Sequence, residues 1–248
     1  MISKEIANLY ARDSKVSLDI AERDILLTYA LKLLEEKGWL ERIEKGKYLI
    51  VPLEGREGWA EHPFVPLSRL VKNYYVSYRT ALAYYGFTEQ MPYYVFIATT
   101  DRKKPLEFQG YLYKFAKINK RKLFGFNKMK ISDVEINVAD KEKTIIDCLE
   151  REEYGGSVIE IFKALYNNKE QFDFNKMADY ALKMENNSLI RRLGYLLDLI
   201  KQDTKKLEKN TGKFRPIYLS SSFPKKKYEI SKKWKLILNL KEGELFKW

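Results

Sequence analysis

The chain carries one cysteine and one histidine in 248 residues. A single thiol excludes a disulfide scaffold, and one imidazole beside it excludes the Cys/His clusters that hold structural zinc. Nucleophilic catalysis of the Ser-His-Asp or Cys-His kind would have to run through His62, which sits in a Glu61-His62-Pro63 loop. No window approaches the ~18 uninterrupted apolar residues of a membrane span. The opening Met1-Ile2-Ser3-Lys4-Glu5 has no apolar stretch, so no secretory leader and a cytoplasmic location are expected. Phosphate-binding glycine patterns are missing as well. Gly46-Lys47 and Gly212-Lys213 lack the upstream glycine of a P-loop, and neither G-x-G-x-x-G nor H-E-x-x-H occurs. The expectation is therefore no enzyme, no cofactor and no metal.

Aromatic residues and positive charge are abundant. Four Trp, 18 Tyr and 13 Phe supply core-building material. The net charge of +12 is unevenly spread. Residues 1–66 carry 10 Lys/Arg against 12 Asp/Glu, and residues 67–130 carry 13 against 3. Residues 131–200 carry 9 against 14, and residues 201–248 carry 14 against 5. Two basic blocks thus alternate with two acidic ones. A basic block attracts a polyanion through counterion release, and it also serves as an ordinary solvated surface. Lys225-Lys226-Lys227, Tyr228, Lys232-Lys233 and Trp234 suit either role.

Apolar spacing predicts a helix from Ile2 to Tyr10, a short helix from Lys15 to Ala21 with Ser17 as N-cap, and a strong helix from Arg23 to Lys37 closed by Gly38. The strong helix is apolar almost all round, with one polar stripe of Asp24, Thr28, Lys32 and Glu35. Such a helix is expected to be mostly buried and to offer one narrow face outward. Trp39 to Ile43 and Lys47 to Val51 alternate around Glu44-Lys45-Gly46, a hairpin signal that Pro52 ends. Helix, short helix, long helix and hairpin is the order of a winged helix-turn-helix. Pro52, Pro63, Pro66, Gly55 and Gly58 then mark a linker.

Beyond the linker, Tyr74 to Val76 leads into a helix from Tyr78 to Tyr85, with Ser77 as its N-cap and Gly86 as its stop. Strands are expected over Tyr93–Ala98, Tyr111–Ile118 and Val134–Val138, with a basic loop from Asp101 to Pro105. Asp140 caps a helix through Cys148, and Ser157 with Glu160 has capping-box spacing. Further helices cover Ser157–Tyr166, Asn175–Met184 and Ser188–Lys201, and late strands cover Arg215–Leu219 and Trp234–Leu240. Asp140, Glu142 and Asp147 could be metal carboxylates. On a helix, however, Asp140 and Glu142 diverge by roughly two hundred degrees, so capping and solvation fit them better. Gly155-Gly156-Ser157 has the look of a nucleotidyltransferase opening, but no Asp-x-Asp/Glu pair follows to hold magnesium, and it reads as a helix entry.

Three stretches together resemble a known family. They are Lys37-Gly38-Trp39-Leu40-Glu41-Arg42-Ile43 with Gly46-Lys47-Tyr48-Leu49; Tyr75-Val76-Ser77 through Ala81-Leu82 and Tyr85-Gly86 to Pro92 and Val95–Thr99; and Val138 through Asp147, followed by Gly155-Gly156. In order and spacing the chain resembles the AbiEi-type antitoxins, the abortive-infection transcriptional regulators of type IV toxin–antitoxin systems. The resemblance covers most of residues 1–200; the region Val16 to Glu22 departs from a clean second helix, and 201–248 match less clearly. It implies a repressor of its own operon. It also implies an antitoxin that counters a nucleotidyltransferase toxin without forming a stable complex with it.

The expected fold class is α+β: a winged helix-turn-helix over 1–53, a linker over 54–67, and a C-terminal antitoxin domain over 68–248. That domain is mixed α/β, with a small sheet and several helices: a basic sheet region to about 138, a helical region to about 201, and a basic tail. In this reading double-stranded DNA, the chain's own promoter, is the partner, and no membrane is. Lys15, Ser17, Thr28 and Lys32 meet the major groove, Lys45 and Lys47 form the wing contact, and Arg79, Arg102, Lys103 and Lys104 neutralise phosphates. The oligomeric state is left open. Asp24 and Glu35 flank the reading stripe and repel phosphate. The alternatives are a protein-interaction module for a toxin or another acidic partner, and a nucleotide enzyme built on Asp140, Glu142 and Asp147.

Overall fold

A computed structural model describes residues 4–52, 61–89, 93–212 and 215–248. Ile2, Gly55, Gly58, Pro92 and Lys213, used in the sequence reading, lie outside the described residues, as does the first half of the expected linker, 54–60. The architecture is α+β, in two compact units, Met1–Glu61 and His62–Trp248.

The first unit runs α1 (Lys4–Ser14), α2 (Leu18–Glu36), β1 (Leu40–Glu44) and β2 (Lys47–Ile50). The two strands pair antiparallel, Leu40 opposite Ile50 and Arg42 opposite Tyr48, around a turn at Lys45-Gly46. The expected short helix and long helix are one continuous helix. The break falls at Lys15, which takes the left-handed conformation (φ 55°) and ends α1, with the Val16 amide donating to the Ala11 carbonyl at 3.0 Å. Ser17 then occupies the N-cap of α2 without a side-chain capping bond. At the other end Gly38 supplies the positive φ (69°) that lets the Trp39 amide close on Leu34 at 2.9 Å. The expected burial of the long helix is also corrected. Ala21 is its buried residue, and Leu26, Leu27 and Tyr29 each leave more than half of their surface open.

The second unit is built on a six-stranded mixed sheet in the order β5-β6-β4-β3-β8-β7. The strands are β3 (Tyr74–Val76), β4 (Tyr94–Thr99), β5 (Leu106–Phe108), β6 (Tyr111–Lys117), β7 (Phe126–Ile131) and β8 (Val134–Ala139). Side chains alternate between its faces. Tyr75, Phe96, Ala98, Ala116 and Ala139 point into a core shared with the helices α4 (Tyr78–Tyr84), α5 (Lys141–Glu150), α6 (Glu152–Gly155), α7 (Val158–Asn167), α8 (Phe174–Lys183) and α9 (Asn187–Leu199). Val76, Val95, Ile97, Tyr113, Ile136 and Val138 are buried on the other face. There the segment 62–71, with a short helix α3 (Leu67–Leu70), brings Phe64, Val65, Leu67, Leu70 and Val71 out of water, and the Tyr113 hydroxyl donates to the Pro63 carbonyl at 2.9 Å. Residues 62–67 are therefore structural, not linker: their prolines shape a covering strap.

The basic tail is not an appendage either. After α10 (Lys205–Glu208), strands β9 (Ile217–Tyr218), β10 (Glu229–Ser231) and β11 (Leu236–Leu238) form a second sheet, and Trp234, Leu236, Leu238, Leu240 and Leu245 enter the helical core. Two contacts fix it. Buried Glu152 accepts from the Ser220 hydroxyl (2.6 Å), the Ser222 hydroxyl (2.9 Å) and the Ser221 amide (3.1 Å). The Trp234 ring lies flush on Gly194 of α9, while its indole N–H donates to Asp198 at 2.6 Å. A methyl at Gly194 would overlap the ring. Gly194→Ala should therefore destabilise the protein by about 1–3 kcal/mol through overpacking, read as a lower urea midpoint with tryptophan fluorescence reporting release of the tail.

Candidate nucleic-acid interface

In the first unit the cationic positions fall at the hairpin tip and along α2. Lys45 is exposed at the tip. Lys47, its expected companion, is held by Glu44 at 2.8 Å, so part of its charge is already answered. Lys15 and Ser17 are exposed in the turn before α2. On α2 the Thr28 hydroxyl donates back to the Asp24 carbonyl at 2.7 Å, and Lys32 lies 3.7 Å from Glu36. Both side chains stay exposed, so the stripe is open, but its net charge is small.

In the second unit, Arg102 and Lys104 are exposed on the loop between β4 and β5, and Lys103 lies over the Phe115 ring at 5.6 Å. Lys114 sits 3.8 Å above Tyr94 on the sheet. Lys128 and Lys130 are matched by Glu135 at 2.9 Å and Asp133 at 3.6 Å. Arg79, expected among the phosphate ligands, already has an acidic partner. It projects from α4 onto Glu160 at 2.8 Å, beside Gly156, and ties α4 to the first turn of α7. Glu160 also closes the capping box with Ser157, so the same carboxylate caps one helix and anchors another.

Ser77, expected to cap α4, makes no capping bond; its hydroxyl donates to buried Asp147 at 2.7 Å. The reason is the turn. Tyr78, the first residue of α4, is buried with φ 57°, a left-handed conformation that costs an aromatic residue roughly 1–2 kcal/mol. This sharp strand-to-helix corner aims Ser77 inward. Lys143, wholly out of water, is paired with Asp147 and donates to the Tyr75 hydroxyl at 2.7 Å. Tyr75 in turn donates to the Lys122 carbonyl at 3.4 Å. Burial raises the Asp147 pKa, opposed by Lys143 and the Ser77 hydroxyl, and burial pushes the Tyr75 phenol well above its usual value.

That chain ends at a cavity of about 400 Å³ lined by Lys117, Ile118, Asn119, Lys122, Glu150 and Arg151. Lys122 is paired with Glu150, which also accepts from Asn186 at 3.2 Å. Sequence reasoning missed these cations because they belong to two distant segments, 117–122 and 150–151, that meet where β6 and α5 end. The run Lys120-Arg121-Lys122 was the available signal.

The carboxylates weighed as metal ligands are each engaged. Asp140 caps α5 at the Lys143 amide (2.8 Å) and accepts from the Tyr180 hydroxyl (2.9 Å). Glu142 accepts the Asp173 amide at 3.0 Å. Lys176 reaches both, at 3.1 Å and 2.8 Å, so the expected divergence is bridged by one long side chain from α8. Among the described residues no cluster of three or more His, Cys, Asp or Glu side chains is arranged to hold a metal ion, and no helix is long and apolar enough to cross a membrane.

No protein-family model and no curated protein matches the chain. Among solved structures it is similar to the RV2827C protein from Mycobacterium tuberculosis, at 14% identity and a TM-score of 0.64, over 88% of this chain and 81% of that one. The likeness is one of fold.

Removing one partner of a buried ion pair strands the other, at about 3–5 kcal/mol. Lys143→Met should lower the unfolding free energy by that amount in urea, and Lys143→Met with Asp147→Leu should recover most of it. A single variant within about 1 kcal/mol of the parent would contradict the pairing described.

Proposed function

We propose that the chain is a DNA-binding transcriptional repressor and antitoxin of the AbiEi type, which represses its own operon and counters a nucleotidyltransferase toxin without a stable complex. In this reading residues 1–53 are a winged helix, with α2 as the reading helix and the β1–β2 hairpin as the wing. The observation that carries it is the first unit itself. It is compact on its own, and its long helix is followed at once by a hairpin with an exposed lysine, Lys45, at the tip. A helix against a major groove and a hairpin tip against an adjoining phosphate is how such a unit reads DNA. The unit departs from the usual three-helix order in having two helices among residues 4–52. The groove-facing set is then Lys15, Ser17, Thr28 and Lys32, with Lys45 the stronger wing cation and Lys47 the weaker. Arg102, Lys103 and Lys104 supply phosphate attraction from the block of residues 67–130, whose net charge is +10. A protein-interaction role is the second reading, favoured by the open apolar side chains of α2.

The test is binding to the promoter upstream of the chain's own gene. Lys45→Glu and the triple variant Arg102→Glu/Lys103→Glu/Lys104→Glu should each weaken binding. The slope of log affinity against log salt should fall by about one for each phosphate that is no longer neutralised. Arg79→Ala should leave that slope unchanged. Lys45 and loop variants that bind as the parent does would overturn the assignment.

A further inference from the structure

The cavity where β6 and α5 end is built from two segments of opposite character. Lys117, Ile118, Asn119 and Lys122 come from the basic block, and Glu150 and Arg151 from the acidic one. Its volume of about 400 Å³ is that of a small-molecule site, which spans ~300–1,000 Å³. Three cations against one carboxylate leave its wall with a net charge of +2.

The polar groups of the wall differ in how far they are already engaged. Lys122 and the Asn186 carboxamide both bond to Oε1 of Glu150, which leaves Oε2 to accept from a hydroxyl. Among the described residues Lys117 has no acidic partner, and Asn119, at the N-cap of the single turn Lys120–Lys122, makes no side-chain capping bond. Arg151 is positioned from outside the cavity: its Nε donates to Glu153 at 2.9 Å, and the guanidinium lies over the Tyr154 ring at 4.5 Å. Its terminal nitrogens have only long contacts, to the Lys117 carbonyl at 3.4 Å and the Tyr154 hydroxyl at 3.5 Å, so donor capacity remains. The turn is fixed from inside. The Lys122 carbonyl accepts from Tyr75, and the Lys122 amide donates to the Asn119 carbonyl at 2.9 Å. A wall held in this way needs little ordering to receive a ligand.

A charge of +2 matches a phosphomonoester, which carries ~−1.5 to −2 near neutral pH and offers oxygens suited to an ammonium and a guanidinium fork. The phosphate fills a minor part of the volume, and the wall selects what it is attached to. Ile118 is the apolar member of the wall and is itself buried; no aromatic ring lines the cavity. A nucleobase or an acyl chain would find no apolar surface there, whereas a hydroxylated body meets Glu150 and Asn119. Exposed Glu153 and Glu185, on Arg151 and Arg121, flank the same two segments and repel the successive phosphates of a nucleic-acid strand. We propose that this cavity binds a small phosphorylated polyol, of the sugar-phosphate class. Lys117 and Arg151 hold the phosphate, and Glu150 and Asn119 take the hydroxyls. The site is independent of promoter binding, and its test uses none.

Calorimetric titration of the full chain with ribose 5-phosphate at low salt should give saturable one-to-one binding, with Kd of ~1 mM or tighter. Unphosphorylated ribose should give no heat of binding, and inorganic phosphate should bind at least ~tenfold more weakly. Lys117 is exposed, so Lys117→Gln keeps the fold and should weaken ribose 5-phosphate by ~tenfold or more. Lys209→Gln removes the same charge just after α10 and should leave Kd unchanged. Glu150→Gln acts in the other direction. It keeps an oxygen for Asn186 and deletes a negative charge from the wall, so binding should tighten by ~threefold. No saturable binding, Lys117→Gln that binds as the parent does, or Lys209→Gln that weakens binding equally would overturn the proposal. Inorganic phosphate that binds as tightly as ribose 5-phosphate would overturn the polyol class. A short oligothymidylate that displaces ribose 5-phosphate at lower concentration would overturn it too, assigning the cations to a polymer backbone.

Discussion

The second unit is organised around an ammonium group with no access to water. Lys143 can be carried inside only because Asp147 sits one turn along α5, because the Tyr75 hydroxyl accepts its hydrogen bond, and because Ser77 satisfies the second carboxylate oxygen. Each partner comes from a different place: the middle of β3, the corner after β3, and the helix that follows β8. The strand order and the corner at Tyr78 are therefore coupled to one charge. A slipped register would leave that charge unanswered at a cost of several kcal/mol, so the pair acts against other arrangements more than it stabilises this one.

Much of this was legible where the signal is local. The N-cap at Asp140, the capping box at Ser157 and Glu160, and the strands at 94–99, 111–117 and 134–139 follow from spacing over a few residues. What stayed hidden depends on distant partners. β5, β7 and β10 are short or lysine-rich and take their conformation from the neighbour they pair with. Arg79 looks like a free cation until α7 places Glu160 beside it. Ser77 looks like a cap until the corner turns it away from its own helix. The prolines at 63 and 66 look like a linker until the sheet face beneath them is seen to need a cover. The candidate site was legible as a set of cations, but the ion pairs of Lys47 with Glu44, Lys32 with Glu36 and Arg79 with Glu160 were not.

The two units differ in how they are stabilised. His62–Trp248 has a deep core and polar groups matched in its interior. In the described part of Met1–Glu61 the buried apolar residues are Ala7, Ala21 and Ile43, a small interior for two helices and a hairpin. A unit of that size with so little buried is marginal by itself, and binding to any partner contributes directly to its folding. For such a module recognition and stability are one equilibrium, which makes its occupancy sensitive to concentration.

The tail has a further meaning for how the chain is made. Trp234 closes against Gly194, and the serine loop closes on Glu152, across tens of residues of intervening sequence. During synthesis from the N-terminus, α5 through α9 emerge before the strands that complete their core. The helical layer then waits with an open apolar surface, and Glu152 lacks its ring of donors, until residues 215–240 have left the ribosome. The first unit meanwhile is free to form, so the two halves of one polypeptide mature on different clocks.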